Sequence, residues 1–362
     1  MECVLITGAT GFVGSALAAN LLTRGHNVIA LSRSDPDGTR TRKAIADAAS
    51  GFDLELSSAR LEGLRVIEWD GAHSEAIETS AALAPVTVAW HCAAEMSYSP
   101  RSLESSFTTN VHGSSTLYTA LAIRASACRR FYFVSTAYVS RPSRSLIREN
   151  LARDGLYATP YHASKMTAEF VMKELQPQHR MPVTVYRPTV IVGHEETGWA
   201  RCNGFGLYML ADVMSAVRHA GLSQVTLDIE PGIHPDLIPI SRLVNDAIDL
   251  TLRDDAGDAF EVFQCTSGRH LSSVDIASRT GQIFDIEVAY GKPVTAFDER
   301  INWALEPRKS FLNQEWQFDR SRLDQALNRT PHPCVVDDAV MTRLLEWYRD
   351  HYATGVSSLR LG

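Results

Sequence analysis

The stretch MECVLITGATGFVGSAL, residues 1–17, sets three glycines, Gly8, Gly11 and Gly14, three residues apart directly behind the apolar run Val4-Leu5-Ile6. The apolar run reads as a buried strand, and Ser15 to Leu22 reads as a helix. The glycines fall in the turn between them. Glycine has no Cβ, so a backbone there can turn tightly and approach a ligand closely. A helix N-terminus offers unpaired N–H groups and a partial positive charge, which suit a pyrophosphate. Strand, glycine turn and helix together form the opening of a dinucleotide-binding unit.

Outward from this turn, strand-like runs alternate with helical stretches. The pattern predicts strands at Cys3–Thr7, Asn27–Leu31, Leu64–Trp69, Val86–Cys92, Arg130–Ser135 and Val183–Tyr186. It predicts helices over 15–24, 43–58, 73–83, 101–127 and 161–175. Such alternation implies an α/β fold of the Rossmann type, a doubly wound parallel sheet with helices on both faces. After Gly193 the alternation loosens. Residues 199–221 read as an amphipathic helix, PDLIPISRLVNDAIDLTL as a short strand and helix, Glu261–Thr266 as a strand and Asp337–Tyr352 as a core-packed helix. The expected division is 1–193, with 236–266 returning to it, as the dinucleotide-binding domain. Residues 194–235 and 267–362 are expected to build a smaller substrate lobe over the strand C-termini, where open α/β sheets bind ligands.

Composition sets the bounds. The chain has 362 residues, 45% hydrophobic and 21% charged, and its formal net charge is -7. That balance is ordinary for a globular protein and argues against nucleic acid as the main partner. Apolar runs are of strand length, no basic and apolar leader opens the chain, and a cytoplasmic location without a membrane span is expected. Cysteines 3, 92, 128, 202, 265 and 334 are scattered with no Cys-x-x-Cys pair. They read as reduced thiols, with neither a disulfide frame nor a zinc site.

The tip of the second strand reads SRSDPDGTRTRK, with Ser32 and Arg33 where an acid would bind the adenosine ribose of NADH. Arginine there suits a 2′-phosphate, so NADPH is the expected cofactor; Asp35 and Asp37, within reach of a ribose, keep NADH as the alternative. Asp70, at the end of the third strand, is placed for the adenine amino group or for a strand-end turn.

Two more stretches carry chemistry. FYFVSTAYVS ends a strand with Ser135 and Thr136, and PYHASKMTAEF sets Tyr161 and Lys165 four residues apart on one helix face. A free phenol has a pKa of about 10. A neighbouring cation lowers it, so Lys165 is expected to tune Tyr161 while its other donors hold ribose hydroxyls. The Thr136 hydroxyl can hold a developing oxyanion. The chain has only five lysines, which makes a chance Tyr-x-x-x-Lys less common than usual.

TGATGFVG, HCAA at 91–94, Asn110 in TTNVHG, STAYV, YHASK and YRPTVIVG together resemble the extended short-chain dehydrogenase/reductases, in order and spacing across residues 1–265. HCAAEMSYSPRSLESSFTTNVHG, YRPTVIVGHEETGWARCNGF and the helix inserted after the second strand resemble the thioester reductase and male-sterility branch, which includes fatty acyl-CoA reductases. The resemblance implies that Thr7, Gly8, Thr10, Gly11, Phe12, Val13 and Gly14 surround the pyrophosphate and that Ser32 and Arg33 meet the 2′-phosphate. It places Asp70 and Gly71 by the adenine, Ala93 and Ala94 on the path to the nicotinamide ribose, and Pro188, Thr189 and Val190 beside the nicotinamide. Thr136, Tyr161 and Lys165 become the catalytic set, and Asn110 supports the lysine through backbone or water contacts. Gly71 and Ser140 depart from the family's usual residues.

The expected function is NADPH-dependent reduction of an acyl thioester, carried on coenzyme A or a carrier protein, to an aldehyde or alcohol. Because the chain opens at the first strand, a carrier-bound substrate is expected to arrive in trans. The same scaffold admits a ketone or aldehyde reductase, a nucleotide-sugar epimerase or dehydratase, and a non-enzymatic NADP-binding sensor. The intact Thr136, Tyr161 and Lys165 weigh against the sensor. In HEETGWARCNGFGLYML after Gly193, the apolar Trp199, Phe205 and Tyr208 are expected to line an acyl slot, although such stripes also serve as packing faces.

Overall fold

The computed structural model describes residues 1–71, 77, 79–152, 155, 159–201, 206–253, 257–306, 309–329 and 336–352. Seven parallel strands form the central sheet in the order β11-β7-β5-β4-β1-β2-β3. They are β1 (Cys3–Thr7), β2 (Asn27–Ser32), β3 (Arg65–Glu68), β4 (Val88–His91), β5 (Phe131–Val134), β7 (Val183–Pro188) and β11 (Phe260–Cys265). The sheet doubles back at β1, so the crevice beyond the strand C-termini opens between β1 and β4.

Both faces of the sheet are covered. The helices Phe12–Thr23, Thr39–Gly51 and Ile240–Leu252 bury one face, and Ser114–Arg124 and Pro160–His179 bury the other. Three aromatic residues on neighbouring strands clamp the helix Ile240–Leu252. Trp90 on β4 stacks on Tyr132 of β5 with ring centroids 4.3 Å apart, and its indole N–H donates to the Thr251 hydroxyl at 2.8 Å. Tyr132 donates to the Leu250 carbonyl at 2.6 Å and Tyr186 on β7 donates to that of Leu243 at 3.1 Å. Buried polar tips thus find partners on the helix, one of them the Leu250 carbonyl of its last turn.

The remaining strands form two-stranded parallel pairs that the sequence pattern does not announce, because each partner lies far away in the chain. They are β6 (Ser143–Ile147) with β13 (Trp316–Phe318), β8 (Val190–Val192) with β10 (Leu237–Pro239), and β9 (Gln224–Leu227) with β12 (Glu287–Tyr290). A separate apolar core gathers the helices Tyr208–His219, Ser273–Phe284, Ala296–Leu305 and Asp338–His351. Residues 316–326 leave that core: β13 pairs with β6, and Leu323 joins the core of the main sheet. This differs from the expected placing of all of 267–362 in the smaller lobe.

Boundaries shift for local reasons. The first helix starts at Phe12, capped by Gly11 in an extended conformation, and the inserted helix starts at Thr39 behind the left-handed Gly38. The long helix expected over 101–127 is broken by a π-helical turn, Thr108–Gly113. The helix expected over 199–221 spans only Tyr208–His219 among the described residues; of the one expected over 73–83, residues 73–76 and 78 lie outside them and Ala81–Leu83 forms a short 3-10 turn.

Candidate active site

The glycine turn is a close-packed cradle. Gly8 adopts a left-handed φ of +66°, and a Cβ there would stand 2.8 Å from the Ala93 nitrogen at the end of β4. A Cβ on Gly14 would stand 2.4 Å from the Gly8 carbonyl oxygen. The Gly11 N–H closes the turn on that same oxygen at 2.8 Å. No side chain caps the helix Phe12–Thr23, so its N-terminal amides face the crevice. These features fit a dinucleotide.

Behind the turn a hydrogen-bonded chain joins β1 to the π turn. Ser114 Oγ donates to the Asn110 carbonyl at 2.7 Å, so it must accept from His91 Nε2 at 2.9 Å. His91 Nδ1 then accepts from the Thr7 hydroxyl at 2.9 Å, while Thr7 Oγ1 accepts from the Ala93 amide at 3.0 Å. Burial holds the His91 pKa down to about 3, so the ring stays neutral and the chain keeps one direction. The Asn110 side chain accepts from the Glu95 amide at 2.8 Å and donates to the Glu95 carbonyl and to Ser164 Oγ, both at 2.9 Å. Asn110 therefore stands behind the cavity and reaches Lys165 through its neighbour Ser164. π-helical turns recur at such functional positions.

Tyr161 and Lys165 sit on the first two turns of the helix Pro160–His179, whose N-cap is Thr159. Lys165 is 1% exposed; its Nζ donates to the Val134 carbonyl at 2.6 Å and lies 4.5 Å from the centre of the Phe133 ring. Burial pulls its pKa down to about 8. Burial also pushes the Tyr161 phenol well above its ordinary value, with the charge of Tyr98 adding to the rise, while a hydrogen bond with Thr136 partly opposes it. This corrects the expected tuning of Tyr161 by Lys165. Desolvation dominates, and the ammonium is engaged at the tip of β5. The phenol stays protonated, the state an acid requires. Thr136 caps a short turn by accepting from the Tyr138 amide at 3.3 Å.

A fully buried ion pair, invisible to the motif search, braces this set from behind. Arg187 on β7 pairs with Glu169, one turn past Lys165, and its Nε donates to Glu169 Oε1 at 2.8 Å. The Ser135 hydroxyl donates to the same oxygen at 2.6 Å. The spacing of Glu169 from Lys165 was legible as a shared helix face; its partner on β7 had no local signal. On the other side, Thr189 donates to Asp236 Oδ1 at 2.8 Å, which fixes the turn after β7.

At the opposite end, Ser32 is buried and Arg33 exposed. Asp35 is 2% exposed and accepts from the Arg40 amide at 3.0 Å, the Thr41 amide at 2.9 Å and the Thr41 hydroxyl at 2.6 Å. Burial alone would raise its carboxyl; these donors outweigh it and hold the pKa below the usual range. Asp37 accepts from the Thr39 amide and hydroxyl. Both acids are thus committed to starting the inserted helix, and Arg33 and Arg40 border the cavity. Arg201 reaches across to donate to the Thr10 carbonyl at 3.1 Å and pairs with Asp47 at 2.8 Å.

One cavity of about 650 Å³ brings together Thr7, Gly8, Thr10 to Gly14, Ser32, Arg33, Asp70, Gly71, Ala93, Ala94, Thr136, Tyr161, Lys165 and Pro188 to Val190. Trp199 and Tyr208 do not line it. Trp199 is 3% exposed and packs on Phe12, on Phe52 and on Gly51, where a Cβ would stand 2.1 Å from the indole. Tyr208 is fully buried, stacks on Tyr348 with centroids 4.5 Å apart, and accepts from the Gly193 amide at 2.8 Å. Both are core residues, which corrects their expected place in an acyl slot. Phe205 lies outside the described residues. The cavity's apolar lining includes Met96, Tyr98, Leu207, Leu210, Leu237, Ile276, Phe311 and Leu312, with the Tyr98 ring 6.2 Å from that of Tyr161.

These parts define a nicotinamide-dependent oxidoreductase of the extended short-chain dehydrogenase/reductase class. The chain belongs to the male sterility protein family of NAD-binding domains, whose model it matches over residues 6–245. It is 29% identical over 198 residues to the non-ribosomal peptide synthetase CmlP of Streptomyces venezuelae, a match covering 53% of this chain and 18% of that protein. It is 30% identical over 216 residues to the aldehyde reductase lnaA of Aspergillus flavus, covering 55% of this chain and 20% of that one. The matches thus span about a fifth of the length of these relatives. Among solved structures, the terminal R domain of the myxalamid PKS-NRPS pathway shares the fold with a TM-score of 0.76 at 20% identity, covering 97% of this chain and 91% of that one. UDP-glucuronic acid 4-epimerase from Bacillus cereus, in complex with NAD, follows with 0.70 at 17% identity, covering 98% and 99%. Among the described residues, no helix is long and apolar enough to cross a membrane.

Proposed function

We propose that this chain is an NADPH-dependent reductase of acyl thioesters, presented on coenzyme A or on a carrier protein. The observation that carries the reading is the polarity of this cavity. Its Arg33 and Arg40 end suits a phosphorylated adenosine, whereas its Tyr161 end is walled by apolar side chains. A nucleotide sugar would need cations for its diphosphate at the Tyr161 end. Besides Arg33 and Arg40, the described lining residues offer Lys165, which the Val134 carbonyl engages, and Arg201, which the Thr10 carbonyl and Asp47 engage. With Asp35 and Asp37 committed to the inserted helix, a ribose 2′-phosphate finds arginines and no free acid.

The glycine turn and the open amides after Gly11 would hold the pyrophosphate, and Lys165 the nicotinamide ribose. When bound, the reduced nicotinamide supplies a hydride to the thioester carbonyl carbon. Tyr161, kept protonated by burial, gives its proton to the carbonyl oxygen, and Thr136 shares that oxygen. The buried Glu169–Arg187 pair and the Asn110–Ser164 bond fix the helix that carries Tyr161. The hemithioacetal so formed releases its thiol and leaves an aldehyde, which a second round reduces to an alcohol. Residues 1–193 with 236–266 serve the cofactor in this scheme, and 194–235 with much of 267–362 serve the acyl group.

The test follows NADPH oxidation and thiol appearance together. An acyl thioester should consume NADPH and release one thiol per thioester reduced, read with a thiol reagent. Oxidation of NADPH by ketones or aldehydes alone, with no thiol from any thioester, would move the protein to the simple carbonyl reductases.

A further inference from the structure

His162 follows Tyr161 and is 3% exposed, yet its ring forms part of the cavity wall. Thr159 Oγ1 lies 2.8 Å from His162 Nδ1 and 3.3 Å from the His162 amide, which donates to it. The Thr159 hydroxyl has one proton, and among the described residues Nδ1 is its one acceptor. Nδ1 therefore carries the lone pair and Nε2 carries the hydrogen. Burial holds the ring pKa down to about 4, so it is neutral in the working range. Among the described residues Nε2 has no hydrogen-bond partner. Its neighbours are rings: Tyr161 at 5.4 Å, Tyr98 at 5.6 Å and Phe311 at 6.2 Å between centroids. Nε2–H is thus a polar group left over for a ligand, in a part of the cavity lining where the ring's neighbours are Tyr98 and Phe311. Binding sites place a few polar groups in such walls to fix orientation.

We propose that His162 is a specificity-determining residue, its Nε2–H donating to an oxygen carried on the acyl chain a few bonds from the thioester carbonyl. This rests on the thioester reading above. Tyr161 meets the carbonyl oxygen, and the imidazole is the adjacent ring, so the acceptor belongs near the reacting end of the chain. Two chemistries offer such an oxygen: a 3-hydroxyacyl group and the amide of an N-acylaminoacyl group.

The test compares the hexanoyl, 3-hydroxyhexanoyl and N-acetylalanyl thioesters of N-acetylcysteamine, with NADPH, on the wild type, His162→Phe and His162→Gln. The wild type should favour one oxygenated thioester over hexanoyl by about tenfold or more in kcat/KM, the scale of one hydrogen bond. Which of the two is favoured names the source. In His162→Phe that ratio should collapse through KM, and in His162→Gln, which keeps an N–H donor, it should partly return. A wild type that treats all three alike overturns the inference without any variant, as does a ratio that survives in His162→Phe. If His162→Phe no longer binds NADPH, the wild-type and His162→Gln ratios decide. Thiol release from hexanoyl with no preference leaves the thioester reading standing and removes this one; release from none of the three removes both.

Discussion

The glycine turn with the Tyr161 helix and the segment that follows β8 use similar residue types to opposite ends. In the first, each residue's role is imposed by its immediate backbone. Gly14 is glycine because a Cβ would meet the Gly8 carbonyl, and Tyr161 and Lys165 share a face because helical geometry puts them there. In the second, aromatic residues that look like the lining of a slot act as locks between distant elements. Trp199 fills the space left by Gly51, and Tyr208 stacks on Tyr348 while it holds the Gly193 amide. The cavity's apolar lining includes instead Met96, Tyr98, Phe311 and Leu312. An apolar stripe states that a face is buried; it does not state whether a neighbour or a ligand buries it.

The contrast can be broken most sharply at Trp199. If it is a lock, Trp199→Ala should cost about 3–5 kcal/mol of stability, the scale of large-to-small core substitutions, read by denaturant unfolding. Its KM values for short and long acyl groups should keep their ratio. Unchanged stability with a selective loss on long chains would return Trp199 to the slot. A smaller effect is expected at Arg33, where role and position are both local. Arg33→Ala should raise the KM for NADPH about tenfold or more and leave that for NADH nearly unchanged, since one charge-assisted contact to a phosphate is lost. An equal rise for both cofactors would mean that Arg33 does not read the 2′-phosphate.

The sequence exposed the features that short-range geometry controls: the central strands, the glycine cradle, the Tyr-x-x-x-Lys face and the basic tip of β2. It hid what long-range pairing controls. β13 meets β6, and Arg187 meets Glu169, only after the sheet has formed. It also misdirected the electrostatics. From spacing alone Lys165 should lower the Tyr161 pKa, but burial of both groups cannot be read from spacing, and burial decides. The commitment of Asp35 to the Thr41 and Arg40 amides was likewise open in the sequence and resolved by the left-handed Gly38 that starts the inserted helix.

The central claim is that a buried, protonated Tyr161 is the acid of a reductase whose cofactor is held elsewhere. Its most direct test is Tyr161→Phe, with single-turnover reduction and NADPH affinity measured on the same preparation. The rate should fall by a factor on the order of a hundred or more, the scale of general acid catalysis, with NADPH bound as tightly as in the wild type. A variant that reduces its substrate at the normal rate would contradict it.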